Sequence, residues 1–122
     1  MAFRFETLDI WKNAITFIKD IYLLTKSFPR EELFSLVDQL RRAANSIAAN
    51  IAEGCGSSSK KEFAHYLDIA IKSLYEAVSH LYVAKELEYI SQKDYDRLYF
   101  TAENLSKRIR AFKSVILKNS MP

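Results

Sequence analysis

The sequence predicts an all-α protein, an antiparallel up-down-up-down four-helix bundle that takes in residues 1–122 as one domain. Three observations predict it. Apolar residues recur at alternating three- and four-residue spacings in four segments, the period of one helix face. The whole chain has only two Gly and two Pro, so few positions break a helix. Short polar connections separate the segments, which places consecutive helices side by side. With 122 residues and 49% apolar composition, the chain can bury a core and is too apolar to be disordered. No internal repeat or low-complexity segment divides it.

The first helix is expected from Leu8 to Lys26, with Trp11, Ala14, Ile15, Ile18, Ile21, Tyr22 and Thr25 on one face. Phe28-Pro29 ends it, because proline disfavours the helical region for the residue before it. "PREELF" reads as a short helical turn opened by Pro29. The second helix is expected over 36–53, capped by Ser35 with Asp38 three residues on. Leu36, Leu40, Ala43, Ala44, Ile47 and Ile51 form its apolar stripe, and Gly54 is expected as a left-handed residue just past its end.

"CGSSS" reads as a linker, and Ser59 with Glu62 forms a capping box for a third helix over 60–88. There Phe63, Leu67, Ala70, Leu74, Ala77, Leu81 and Ala84 keep the pattern. Ser91 with Asp94 opens a fourth helix over 92–118. Its stripe is Tyr95, Leu98, Ala102, Leu105, Ile109, Phe112 and Ile116.

"QLRRAANSIAANIAEG" carries alanine where a solvent-facing helix back would carry Lys and Glu. With Ile47 at zero on a helical wheel, Ala48, Ala49 and Ala52 lie on the far side, between about 100° and 200°. Arg42, Ser46, Asn50 and Glu53 share a narrow polar stripe. These two features predict a helix covered on more than its core face, with Arg42, Ser46, Asn50 and Glu53 as a structural polar cluster. On the third helix the apolar arc spans about half the circumference, wider than the roughly 100° one core needs. Tyr75, Tyr82 and Tyr89 recur every seven residues along its edge. A tyrosine there buries its ring and keeps its hydroxyl wet, which suits a subunit interface. Ala48, Ala49, Ala52, Tyr75, Tyr82 and Tyr89 are therefore the expected oligomer interface.

The net charge is +3, and its distribution is more informative. From Asn104 onward the chain has Lys107, Arg108, Arg110, Lys113 and Lys118 and no acid. One reading is complementarity to a helix C-terminus. The other is a polyanion-binding patch, with Lys60, Lys61 and Arg41 as further candidates. The lone Cys55 cannot form an internal disulfide. "MAFRFETLDIW" lacks the apolar core of a signal peptide, and no apolar run reaches membrane-span length, so a cytoplasmic protein with no membrane partner is expected.

Catalytic patterns are sparse. A di-iron bundle needs two Glu-x-x-His motifs, and only Glu62–His65 supplies one. His80 has Ala77 three residues before it, Glu62 is taken by its capping box, and His65 points about 180° from Leu74. Cys55 has no histidine near it in sequence. "GCGSSSKK" lacks the Gly-Lys-Ser/Thr ending of a P-loop and no strand precedes it. No metal, no cofactor and no enzymatic activity are expected.

The stretch "SFPREELFSLVDQLRRAANSIAANIAEGCGSSSKKEFAHYLDIA" resembles the proteins encoded in intervening sequences of bacterial large-subunit ribosomal RNA genes, often labelled ribosomal-protein-like. The matching pattern is Phe28-Pro29, then Gln39-x-Arg41-Arg42-Ala-Ala, Ser46-Ile47, Asn50-Ile51-Ala-Glu53-Gly54, and Lys61-Glu62-Phe63. More distantly the chain is similar to the accessory variability determinant of diversity-generating retroelements. It departs from the pattern at Lys72-Ser73, where the family usually has Gly-Ser, and at Glu88, where a Gly often precedes the Tyr-apolar pair. The resemblance implies a bundle that assembles as a homopentamer with a basic surface, and no catalysis. Its retroelement relatives imply binding of nucleic acid and of a reverse transcriptase. The expected function is a non-enzymatic homo-oligomeric bundle that binds RNA or DNA with little sequence specificity. The alternative is an adaptor that docks a nucleic-acid enzyme such as a reverse transcriptase.

Overall fold

The computed structural model describes residues 2–118; the outermost positions of the expected 1–122 domain lie outside the described residues. The chain is all-α: four helices, with no strand among the described residues. They are α1 (Asp9–Thr25), α2 (Leu36–Cys55), α3 (Lys60–Glu86) and α4 (Gln92–Lys118). Short 3-10 turns, Arg4–Thr7 and Arg30–Glu32, precede α1 and α2.

The expected stripes of α2 and α3 are buried throughout, and that of α4 is buried from Leu98 to Ile109. The face of α1 is rotated from the expected one. Ile10, Ala14, Phe17, Ile21 and Thr25 are its buried residues, whereas Trp11, Ile15 and Ile18 are half-buried and Tyr22 is exposed. Phe17 accounts for this: its ring is fully buried, and a side chain of that size sets which flank of the helix turns inward.

The helix ends follow local chemistry, with two corrections. Ser59 Oγ accepts the Glu62 amide at 3.1 Å, and Ser91 Oγ accepts the Asp94 amide at 3.0 Å, as the capping patterns predict. Ser35 makes no such cap. Its hydroxyl donates to Glu32 Oε1 at 2.5 Å, and the same oxygen accepts the Leu36 amide at 3.4 Å. The start of α2 is thus held by a carboxylate from the preceding turn. The second correction concerns left-handed backbone. Gly54 lies inside α2, no glycine has positive φ, and the left-handed residue is Glu88, with φ 64°. α2 therefore runs two residues past its expected end, through Cys55, and α3 ends at Glu86.

Glycine at position 54 answers a packing need. A Cβ there would lie 2.7 Å from Phe63 Cδ1 and 3.0 Å from Tyr66 Cβ. Together with the small residues Ala43, Ala44, Ala70 and Ala77, all buried, Gly54 lets α2 and α3 share the most extensive contact in the bundle.

Cross-helix pairs show the register. Arg41 and Asn45 of α2 reach Thr25 and Tyr22 of α1. Ser46 of α2 meets Ser73 of α3 at 2.8 Å, and Gly54 meets Phe63. Asp68 and Tyr75 of α3 meet Lys113 and Arg110 of α4. In each case residue numbers rise on one helix as they fall on the next. α1 also contacts α4, with Asp20 and Arg97 3.7 Å apart.

Candidate functional site

The α3–α4 seam brings together the cations of the second half of α4 and the outer flank of α3. Arg110 Nη2 donates to the Tyr75 hydroxyl at 3.2 Å, and its guanidinium carbon lies 5.8 Å from the Tyr75 ring centroid. One turn further along α4, Lys113 Nζ donates to Asp68 Oδ1 at 2.7 Å. A hollow of about 650 Å³ lies here, lined by Lys72, Tyr75, Arg110 and Lys113 among others. A second hollow of about 320 Å³ shares Tyr75 and Arg110 and extends past Lys107 to Tyr99.

The other expected cations are more scattered. Lys107, Arg108 and Lys118 are exposed and in no ion pair among the described residues. Lys60 and Lys61 are exposed at the start of α3. The contact between the Phe63 and Phe112 rings, 5.8 Å between centroids, places that start beside the last turns of α4. Arg41 stands apart from this group, near the start of α2. Its Nε donates to Thr25 Oγ1 at 3.0 Å and its guanidinium lies 4.4 Å from the Tyr22 ring centroid, so it joins α2 to α1.

Of the expected polar cluster, Ser46 and Asn50 lie together, and Arg42 and Glu53 lie apart from them within the chain. Arg42 is not buried among Ser46, Asn50 and Glu53. Its side chain is 78% exposed and pairs with Asp38 one turn earlier at 2.8 Å. Within a single chain, an exposed pair at this spacing contributes about 0.3–0.5 kcal/mol. Glu53 is exposed as well. Ser46 and Asn50 do form a cluster, and the partner is Ser73. Asn50 Nδ2 donates to the Ser46 carbonyl at 2.8 Å and to Ser46 Oγ at 3.0 Å, while Ser46 and Ser73 hydroxyls lie 2.8 Å apart. This satisfies the hydroxyl of Ser73, which is buried in the α2–α3 contact.

Of the expected interface residues, Ala48 is buried within the chain itself, Ala49 is exposed and Ala52 is half-buried. Tyr75 and Tyr82 present exposed rings. Tyr89 is used internally: its hydroxyl donates to Glu32 Oε2 at 2.8 Å. Tyr82 sits in a second aromatic group, with Tyr95 6.0 Å away between centroids and Tyr99 5.9 Å beyond Tyr95. Lys85 Nζ lies 4.4 Å from the Tyr82 centroid. Burial pushes the Tyr95 phenol above its ordinary value, and Lys85 opposes that shift.

Lys72, Asp68 and Tyr99 were not singled out as site residues from the sequence. The available signal was the spacing of Asp68, Lys72 and Tyr75 along one flank of α3, opposite the equally spaced Lys107, Arg110 and Lys113 of α4. As for catalytic groups, Cys55 ends α2 and does not sit in the linker. Burial raises its thiol pKa, and Arg4 only partly offsets this, which lowers its thiolate fraction. Among the described residues, no group of three or more His, Cys, Asp or Glu is placed to hold a metal ion, and no helix is long and apolar enough to cross a membrane.

The fold has a solved counterpart in a protein of unknown function from the S23 ribosomal protein family of Bacteroides thetaiotaomicron. The two share 26% sequence identity and a TM-score of 0.78, over 85% of this chain and 97% of that one. No curated protein matches the chain. Residues 6–111, which span all of α1 to α3 and α4 as far as Ala111, match the family described as 23S rRNA-intervening sequence protein, and the chain belongs to that family.

Proposed function

We propose that the chain is a non-enzymatic homo-oligomeric bundle that binds RNA or DNA through surface cations, with little sequence specificity. The observation that carries this reading is the cationic seam, where Lys72, Lys107, Arg110 and Lys113 line adjoining hollows on one side of the molecule. Phosphate contacts of this kind supply affinity without reading bases. The opposed numbering of the cross-helix pairs supports an antiparallel up-down-up-down course.

In this reading the protein is cytoplasmic and assembles as a homopentamer. The exposed Ala49 and the half-buried Ala52 on α2 supply a small-residue face for close approach, with Tyr82 as a flanking ring. A solution mass near 14.1 kDa across micromolar concentrations overturns the assembly. A second reading, an adaptor that docks a nucleic-acid enzyme such as a reverse transcriptase, is favoured by the exposed Leu33 and Phe34, the latter 89% accessible.

A salt titration separates the two. Nucleic-acid binding gives an affinity that falls steeply with salt, by about 0.7–0.9 in log slope for each phosphate contacted. The paired variant Lys107→Glu, Arg108→Glu is expected to flatten that slope while the mass of the assembly holds. Binding at full strength in the intact variant removes the end of α4 from the site. Absence of binding at low salt leaves the adaptor reading.

A further inference from the structure

We propose that the α3–α4 groove takes a single-stranded polynucleotide, with one unpaired base laid on the Tyr75 ring beside Arg110 and adjacent phosphates on Lys72, Lys107 and Lys113. The proposal rests on the nucleic-acid reading above and narrows it to a class of substrate.

The geometry carries it in three steps. First, the two hollows meet at one pair of side chains, Tyr75 and Arg110. The larger, at about 650 Å³, is within the size range of pockets that hold a small organic group. Second, the Tyr75 ring is 63% exposed, yet its hydroxyl is held by Arg110 at 3.2 Å. A ring that is both open and fixed loses little freedom when a flat partner stacks on it, and a guanidinium alongside adds a second flat surface. Third, the hollows are lined by four cations against two acids, and one of those acids, Asp68, is already paired with Lys113.

Aromatic faces interleaved with cations suit a strand whose bases are unstacked. Bases in a duplex are stacked on one another and cannot lie on a tyrosine; a duplex would meet only the cations. Tyr99, and Tyr95 beyond it, continue the aromatic surface along the same seam, in the direction the strand would run. A second copy of this chain in the groove is separated from a polynucleotide by the mass of the assembly, recorded for every variant below.

The test uses fluorescently labelled homopolymers of about 12 nucleotides, one RNA and one DNA, and a duplex of equal length. Binding is followed by anisotropy over a salt series, with the mass of the assembly and the melting temperature recorded for every variant. Tyr75→Leu is expected to weaken single-strand binding about 10-fold, the loss of one stacked base, with the salt slope and duplex affinity unchanged. Tyr75→Phe, which keeps the stacking face but frees it from Arg110, is expected to weaken single-strand binding less than Tyr75→Leu does. Lys72→Ala is expected to reduce the salt slope by about 0.7. RNA and DNA are both expected to bind, since the ring and the phosphates are common to them.

Unchanged single-strand affinity in Tyr75→Leu overturns the proposal, as does an equal loss on the duplex; in both cases binding by the bundle stands. A change in assembly mass in Tyr75→Leu overturns it too, and assigns the groove to a contact between copies. Failure of every probe to bind at low salt takes away the nucleic-acid reading itself.

Discussion

Tyr89 donates its hydroxyl to Glu32 Oε2 at 2.8 Å and so ties the end of α3 to the turn that opens α2. The other oxygen of the same carboxylate receives the Ser35 hydroxyl and the Leu36 amide. The Phe28 ring lies 5.5 Å from that of Tyr89, which packs the α1–α2 connection against the same corner. One glutamate therefore joins three parts of the chain.

This corner makes stability depend on pH. The Ser35 hydroxyl, then that of Tyr89, lowers the Glu32 carboxyl below its ordinary 4.5. A depressed folded pKa gives stability that is present above 4.5 and is lost as pH falls through the lower folded value. For Tyr89 the sign is reversed. Chiefly through its bond to Glu32, its phenol lies above the ordinary 10.0, so its contribution is complete below that pH and is lost as pH rises through the folded value. Thermal melts of the wild type and Glu32→Gln are expected to converge as pH drops below 4.5. A constant gap from about pH 7 to pH 3 would show that this carboxylate's charge does not matter to the fold.

The left-handed Glu88 sits beside this corner and leads to a second prediction. Its amide bonds the Lys85 carbonyl and the Tyr89 amide bonds the Ala84 carbonyl, both at 2.9 Å, the two bonds of a Schellman ending. A side chain at φ 64° costs about 1–2 kcal/mol that glycine avoids. Glycine gives back about 0.4–1 kcal/mol through the freer unfolded chain. Glu88→Gly is therefore expected to raise the melting temperature by about 3 °C, and the β-branched Glu88→Val to lower it. Unchanged melting in both would mean that the turn relaxes at no cost.

The buried stripes of α2, α3 and the middle of α4 were legible because a core needs only the right period, which a sequence displays directly; the face of α1 was not, because its period also fits the neighbouring flank that Phe17 turns inward. Other features were legible only in part, for reasons that are tertiary. The turn rule points to Gly54 as a left-handed residue, but that glycine serves the approach of Phe63, and the left-handed backbone falls on Glu88. Arg42 shares a stripe with Glu53, but Glu53 lies about three turns further along α2, and Arg42 pairs instead with Asp38, one turn earlier. Ser73 was unremarkable until the α2–α3 contact set it against Ser46. The Tyr75–Arg110 and Asp68–Lys113 pairs join residues 35 and 45 apart. Period identifies the flank each residue occupies but not which flanks face one another, and that choice makes the groove.

Gly54 and Gly56 give a paired test of the close α2–α3 approach. Gly54→Ala gains about 1 kcal/mol of helix propensity but drives a methyl into Phe63 and the Tyr66 Cβ, and overpacking of this kind costs about 1–3 kcal/mol. A net loss of about 1 kcal/mol is expected, seen as a lower denaturation midpoint. At Gly56 the added Cβ would meet only the Glu53 carbonyl, at 3.4 Å, so Gly56→Ala should change the midpoint little. A Gly54→Ala variant as stable as the wild type would show that the Phe63 ring moves aside freely.

Asp68 limits how much of the groove's charge a polyanion can use. Its carboxylate holds Lys113 at 2.7 Å, with both side chains only partly exposed. A phosphate that engages Lys113 must compete with that carboxylate and is repelled by it. Asp68→Asn keeps the shape and a carbonyl acceptor but removes the negative charge. Single-strand affinity is then expected to rise, and the salt slope to steepen by up to about 0.7 as Lys113 becomes available to a phosphate. Stability should change by less than about 1 kcal/mol, because a pair this accessible is screened. Affinity and melting are read on the same sample. Weaker binding at unchanged stability would show the opposite arrangement, in which Asp68 positions the Lys113 ammonium for the phosphate and the ion pair is itself part of the site.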